Sequence, residues 1–236
     1  MKYERINKNL YIKNRAKFVD KMESKASAVF NSNDIYPISA DSTMPFQQAR
    51  DILYLTGVDQ EESILVLFPD AKNDAHKEIL FLKETSELIA VWEGEKLTKE
   101  TAFETSGIKT VYWLEQFDTI FKQVMAEAET IYVNTNEHLR ASTIVETRED
   151  RFIKKMKLHF PGHRLAKSAP IMHAIRSVKE AQEIELMQRA CKITEAGFRR
   201  VLGFVKPGVW EYEIEAELMH EFLRSKSRGF AYTPIV

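Results

Sequence analysis

Two uninterrupted apolar runs constrain the fold of this chain most. They are Ile64-Leu65-Val66-Leu67-Phe68 and Ile79-Leu80-Phe81-Leu82, separated by a polar stretch that opens at Pro69-Asp70. A strand with one face in water alternates apolar and polar residues, whereas a run without alternation must be covered on both faces. The pair therefore predicts two central strands of one sheet with a layer on each side. The flanking sequence supplies those layers. Residues 9–22 carry Tyr11, Ile12, Phe18, Val19 and Met22 at a period near 3.6, with Arg15 contributing its aliphatic stem, and so predict an opening amphipathic helix. Residues 27–30, 109–113 and 130–134 predict further strands, and residues 95–105, 114–129 and 149–157 further helices. This alternation describes an α/β domain with a mixed sheet over residues 1–170.

Composition narrows the function classes. An apolar fraction of 44% suffices for a globular core, and 34 basic against 35 acidic residues give no global attraction to nucleic acid or to an anionic membrane. The single cysteine, Cys191, excludes an intrachain disulfide, and its place on the apolar side of a predicted helix points to packing. The N-terminus lacks the apolar run of a signal peptide, and no stretch approaches the roughly 18 apolar residues of a membrane span, so a soluble cytoplasmic protein is expected.

A second unit is expected over residues 171–236. Residues 167–177 read as a short extended crossover, and Ser177-Val178-Lys179-Glu180 has the spacing of a capping box that would start a helix. Ile184, Met187, Cys191, Thr194, Phe198, Val201, Leu202 and Val205 then form one stripe, ended at Lys206-Pro207-Gly208. A further helix is predicted over residues 210–223, with Ile214, Leu218 and Phe222 at steps of four, and residues 228–236 read as a strand just beginning. A buried strand needs neighbours to pair its backbone groups. With none following, the stripe and the strand are expected to pack on another chain, to stay mobile or to be proteolysed.

Candidate chemistry is sparse. Glu217, His220 and Glu221 fall on one side of the last predicted helix, but the zinc-peptidase pattern needs a second histidine where Arg224 stands, so a solvated face is expected. His159 and His163 straddle Phe160-Pro161-Gly162, which breaks any shared helical face and places them at the surface. Asp41, Asp51, Asp59, Glu61 and Glu62 read as a solvated rim, and no glycine-rich phosphate loop, serine elbow or paired-cysteine motif occurs. Trp92 lies in Leu88-Ile89-Ala90-Val91-Trp92-Glu93-Gly94, between a predicted strand and a glycine turn. It is either a lid over the local core or an exposed aromatic anchor at an interface or ligand rim.

Residues 44–57, Met44-Pro45-Phe46 through Tyr54-Leu55-Thr56-Gly57, followed by Glu61-Glu62-Ser63-Ile64-Leu65-Val66-Leu67, resemble the N-terminal domain of Xaa-Pro aminopeptidases. Val91-Trp92-Glu93-Gly94 resembles the family's tryptophan-glycine turn. The stretch from Arg176-Ser177-Val178-Lys179-Glu180 looks like its interdomain helix, and Lys206-Pro207-Gly208 through Ala231-Tyr232-Thr233-Pro234 looks like the opening of its pita-bread catalytic domain. The chain departs from the family at Gln47 and Ala49, where many members have arginine and asparagine.

The resemblance implies a creatinase/prolidase-like, ribonuclease H-like N-terminal domain followed by the first helices and strand of the catalytic domain. It also implies a cytosolic peptidase that removes the residue before proline with two manganese ions held by two aspartates, a histidine and two glutamates. In the family pattern those ligands follow the part matched here, so no catalytic and no metal-binding residue is expected among these 236, and the stretch alone is expected to be inactive. Two residues carry over as substrate-binding: Tyr232, near the pocket, and Trp92, which in oligomeric members reaches a neighbouring subunit's active site. Expected partners are peptides with proline second and further copies of the chain in a homodimer or homotetramer. The alternatives are a prolidase- or creatinase-like relative and a non-catalytic dimerisation scaffold.

Overall fold

A computed structural model describes residues 4–141 and 144–235, which form two compact units dividing between Val178 and Lys179; residues 4 and 5 belong with the second. The first unit opens with α1 (Asn9–Val19), β1 (Ala26–Asn31), a small hairpin of β2 (Pro37–Ser39) and β3 (Ser42–Thr43), α2 (Arg50–Thr56) and β4 (Ile64–Leu67). It continues through β5 (Glu78–Leu82), α3 (Glu87–Glu93), α4 (Lys99–Ser106), β6 (Thr110–Trp113), α5 (Phe117–Met125) and β7 (Thr130–Val133). It closes with α6 (Arg148–His159), β8 (Arg164–Lys167) and α7 (Ala169–Ser177).

The six-stranded sheet has the order β6-β5-β4-β1-β7-β8. β4 runs antiparallel to both neighbours, with Val29 opposite Val66 and Val66 opposite Ile79, while the β1–β7, β7–β8 and β5–β6 pairs are parallel. The unbroken apolar runs are explained by two cores, one on each face. Phe30, Leu65, Leu67, Leu80 and Leu82 meet Phe18 of α1 and Ile52 and Leu55 of α2. The alternate residues Val29, Ile64, Val66, Ile79 and Phe81 meet Phe117, Phe121 and Val124 of α5 and Phe152 of α6. Successive side chains point to opposite faces, so residues 64–67 and 79–82 are apolar at every position.

α1 places a cation inside the first core. Arg15 is fully buried, and its Nη1 donates to the carbonyls of Leu55 at 2.8 Å and Ser106 at 3.0 Å. Its Nη2 pairs with Glu78 at 3.1 Å. Those carbonyls close α2 and α4, which both end at a left-handed glycine, Gly57 (φ 71°) and Gly107 (φ 77°).

Three local expectations are corrected. Residues 169–177 are helical rather than extended, with Pro170 in the first turn of α7, where its missing N–H costs nothing, and Met172 and Ile175 buried. Ser177 ends that helix, its hydroxyl donating to the His173 carbonyl at 2.6 Å. The next helix is capped three residues later, where Glu183 accepts from the Glu180 amide at 2.8 Å. Residues 228–235 form no strand.

The second unit is an antiparallel pair, α8 (Ala181–Phe204) and α9 (Glu211–Arg224). They approach closely at Gly197, where a Cβ would lie 2.8 Å from the Phe222 ring and 3.1 Å from Leu218. Arg200 of α8 pairs with Glu217 of α9, and Glu4 binds both Arg189, at 2.8 Å, and Lys226. Much of the predicted stripe is uncovered: Ile184, Met187, Phe198, Leu202 and Val205 are exposed. Cys191 is exposed with it rather than packed.

Candidate functional site

The predicted functional tryptophan stands on the most apolar exposed helix of the first unit. α3 is a single two-turn segment, not the strand expected from its apolar run. Ser86 caps it, its Oγ accepting from the Ile89 amide at 3.3 Å, and Gly94 ends it with φ 80°. None of its residues is buried: Leu88 is 71% exposed, Val91 76% and Trp92 83%. Positions i, i+3 and i+4 share one side of a helix, so these three form one apolar face toward solvent. A ring this exposed does not lid the local core, so that reading of Trp92 is set aside.

Charged pairs fix the base of the helix. Lys96 is paired with Glu61 and lies 3.7 Å from Glu93, and Lys83 pairs with Glu62 at 3.1 Å, which holds its ammonium above the ordinary lysine range. Three of the expected rim carboxylates thus enter separate pairs, Glu61 with Lys96, Glu62 with Lys83 and Asp51 with Arg176 at 2.5 Å. The loop before α2 has a polar role that its Gln47 and Ala49 do not advertise. Buried Gln48 donates to the carbonyls of Val58 at 3.1 Å and Gln60 at 2.9 Å and accepts from the Ala49 amide at 2.9 Å.

Tyr232 belongs to the second unit, in the irregular segment after α9, and is 82% exposed. Trp92 and Tyr232 therefore sit in separate units. On α9, Glu217 and Glu221 both face Arg200, the latter at 3.9 Å, and His220 is exposed. Among the described residues no three of His, Cys, Asp and Glu are grouped to hold a metal ion. His163 is half-buried, bonded through Nε2 to the Met125 carbonyl at 2.9 Å, and with exposed His159 it lines a shallow cleft at the start of β7 and β8.

Sequence reasoning missed two inward charges, Arg15 and Glu149. Arg15 occupies a stripe position of α1, which was a visible signal. Glu149 lies inside Thr147-Arg148-Glu149-Asp150, a capping box in the structure, with Asp150 accepting from the Thr147 amide at 2.9 Å.

Comparison with known proteins places these features. The profile of the aminopeptidase P N-terminal domain matches residues 11–132, and that of metallopeptidase family M24 matches residues 185–236. The Xaa-Pro aminopeptidase of Escherichia coli is 27% identical over 234 residues, covering 98% of this chain and 52% of that protein. The Xaa-Pro aminopeptidase of Haemophilus influenzae is 29% identical over 196 residues, 83% of this chain and 43% of that protein. The solved structure of Pseudomonas aeruginosa aminopeptidase PepP shares the fold with a TM-score of 0.80 at 22% identity, covering 95% of this chain and 50% of the other. The chain spans about half the length of the curated relatives it matches. The aminopeptidase P N-terminal domain profile spans more than half of the chain, residues 11–132, so the chain belongs to the aminopeptidase P family.

Proposed function

We propose that these residues serve an Xaa-Pro aminopeptidase, a metallopeptidase that releases an N-terminal residue standing before proline. The observation that carries this is the likeness to the Escherichia coli Xaa-Pro aminopeptidase across 98% of the chain, joined to the M24 match over residues 185–236. M24 membership implies a divalent metal, and we take it to be a manganese pair. The described residues bring no three ligands together, so no step of hydrolysis is assigned to them. Their role is to form walls and contacts, residues 1–170 as the N-terminal domain and residues 171–236 as the linker and start of the catalytic domain. The α3 face seats Trp92 at a neighbouring copy's substrate site in a homodimer or homotetramer, and Tyr232 contacts the peptide. Among the described residues no helix is long and apolar enough to cross a membrane; we place the protein in the cytoplasm.

The test is hydrolysis by the protein to which these residues belong, supplied with manganese. A tripeptide with proline second should be cleaved and its alanine counterpart should not, whereas cleavage confined to a dipeptide would favour a prolidase and no cleavage a scaffold. In the same protein Trp92→Ala should lower kcat/KM by about tenfold or more, the scale of a lost aromatic anchor. Its stability should change by less than about 0.5 kcal/mol, since the ring is exposed. Unchanged kinetics and unchanged assembly together would remove α3 from this role.

A further inference from the structure

Most of the large apolar side chains that the first unit leaves exposed stand on three segments at one end of its sheet. β1, β5 and β7 run in the same direction, so the hairpin after β1, α3 after β5 and the segment after β7 all leave from that end, within the width of four adjacent strands, about 14 Å. Among the described residues β2 and β3 pair only with each other. Every residue of both is exposed, and Ile35, Tyr36, Ile38 and Met44 turn apolar surface to solvent. So short a two-stranded piece is marginal in water without a covering surface. The bases of the segments are fixed. The Ser32 amide donates to the Ser63 carbonyl at 2.9 Å, Glu62 pairs with Lys83 ahead of α3, and Arg151 pairs with Asp34 while donating to the Glu146 carbonyl at 3.1 Å.

Charge decides what can cover this end. Asp41 in the hairpin turn and Glu84, Glu87 and Glu95 around α3 are exposed and meet no cation among the described residues. Of the cations on the three segments, Lys83 and Lys96 are already paired, which leaves Arg140. An exposed apolar area with a polar rim marks a contact site. Two copies meeting through this area alone would set carboxylates against carboxylates, which association disfavours. We propose that the hairpin and α3 form one docking surface for a second copy of the chain, received by a different, cation-edged surface of that copy and not by its own image. This contact includes the α3 contact inferred above, on which it rests, and adds the hairpin, which leaves the same end of the sheet. In a twofold pair two such contacts form, each hairpin meeting the other copy's cationic side.

The test is the dissociation constant of the assembled protein to which these residues belong, measured by sedimentation. Ile38→Asp should raise it by about tenfold or more, as loss of an apolar anchor does. Glu84→Gln with Glu87→Gln should raise it about threefold at low salt and flatten its salt dependence, because the partner's cations lose their counter-charges. Tighter association of that double variant would mean that the surface meets its own image, and an unchanged constant in Ile38→Asp would take the hairpin out of the contact; either overturns the proposal. Trp92→Ala separates it from the reading on which it rests. If that variant dissociates and Ile38→Asp does not, α3 keeps its contact and the wider surface falls, whereas a monomeric unaltered protein removes both. Should Ile38→Asp fail to fold, amide exchange over residues 35–44 of the unaltered protein decides: protection lost on dilution below the dissociation constant supports the contact, and protection independent of concentration overturns it.

Discussion

Replacing Arg15 with methionine is expected to lower the stability of the first unit by about 3–5 kcal/mol, the range for breaking a buried charged network. The magnitude follows from what the guanidinium touches. Leu55 and Ser106 present carbonyls from the final turns of α2 and α4, where a helix has no partners of its own to offer. A cation there also meets the negative ends of two helix dipoles at once. Methionine fills similar volume but leaves both buried carbonyls bare, at about 1–3 kcal/mol each. Glu78 is less affected, because its side chain is 37% exposed and can turn to water. Arg15→Lys should recover less than half of the loss, since one ammonium cannot span two carbonyls and a carboxylate as a planar fork does. The check is the denaturant midpoint of the unit's cooperative transition; a loss under about 1 kcal/mol for Arg15→Met would show that the carbonyls find water instead.

Gly57→Ala should cost nearly as much, by a different route. At φ 71° an L side chain is strained by about 1–2 kcal/mol. Its Cβ would also sit 2.3 Å from Cε2 of Tyr11, a ring buried well enough for its phenol to be pushed up to about 12. Displacing that ring adds about 1–3 kcal/mol of overpacking. The two parts separate in a double-mutant cycle: Tyr11→Leu should relieve the clash and leave the strain, giving a coupling above about 0.5 kcal/mol. Additive losses would mean that backbone strain accounts for the whole effect. Gly107→Ala is the internal comparison. It has the same handedness, but its obstacle is the end of the Ile12 side chain at 2.6 Å, which can rotate away.

What the amino-acid order discloses here is periodicity, and periodicity is local. The runs at residues 64–68 and 79–82 declared a doubly covered sheet because burial on both faces leaves no polar position. The mixed sheet and the two-helix unit were legible on the same ground, whereas the family came from motif resemblance at residues 44–57, 91–94 and 176–180. Arg15 was visible only as a stripe position of α1; its charged role was not, because two of its three partners are backbone carbonyls 40 and 91 residues away, with no side-chain signature of their own. Ser177 misled because a capping-box spacing names a possible cap, whereas Pro170 had already begun a helix that ends on that residue. Residues 88–92 looked like a strand because an apolar run without charge has no face of its own, and the Ser86 cap tipped it into a helix. For the site the limit was sharper. The sequence left Trp92 open between a lid and an exposed anchor, and no periodicity points to Glu149, whose partners are Asn31 at the end of β1 and Asn134 just past β7.

The outer strands of the sheet carry a consequence for how copies of this chain can meet. β8 is bounded by Arg164 and Lys167, each already paired with a carboxylate from a loop, Glu23 and Glu137. At the opposite margin, Lys99 lies 4.8 Å from the centre of the Trp113 ring of β6. A second chain trying to extend the sheet at either side would have to displace cations that are fixed in place, which makes both margins poor templates for further strands. Growth into an open-ended β-ribbon is thus disfavoured at both sheet margins.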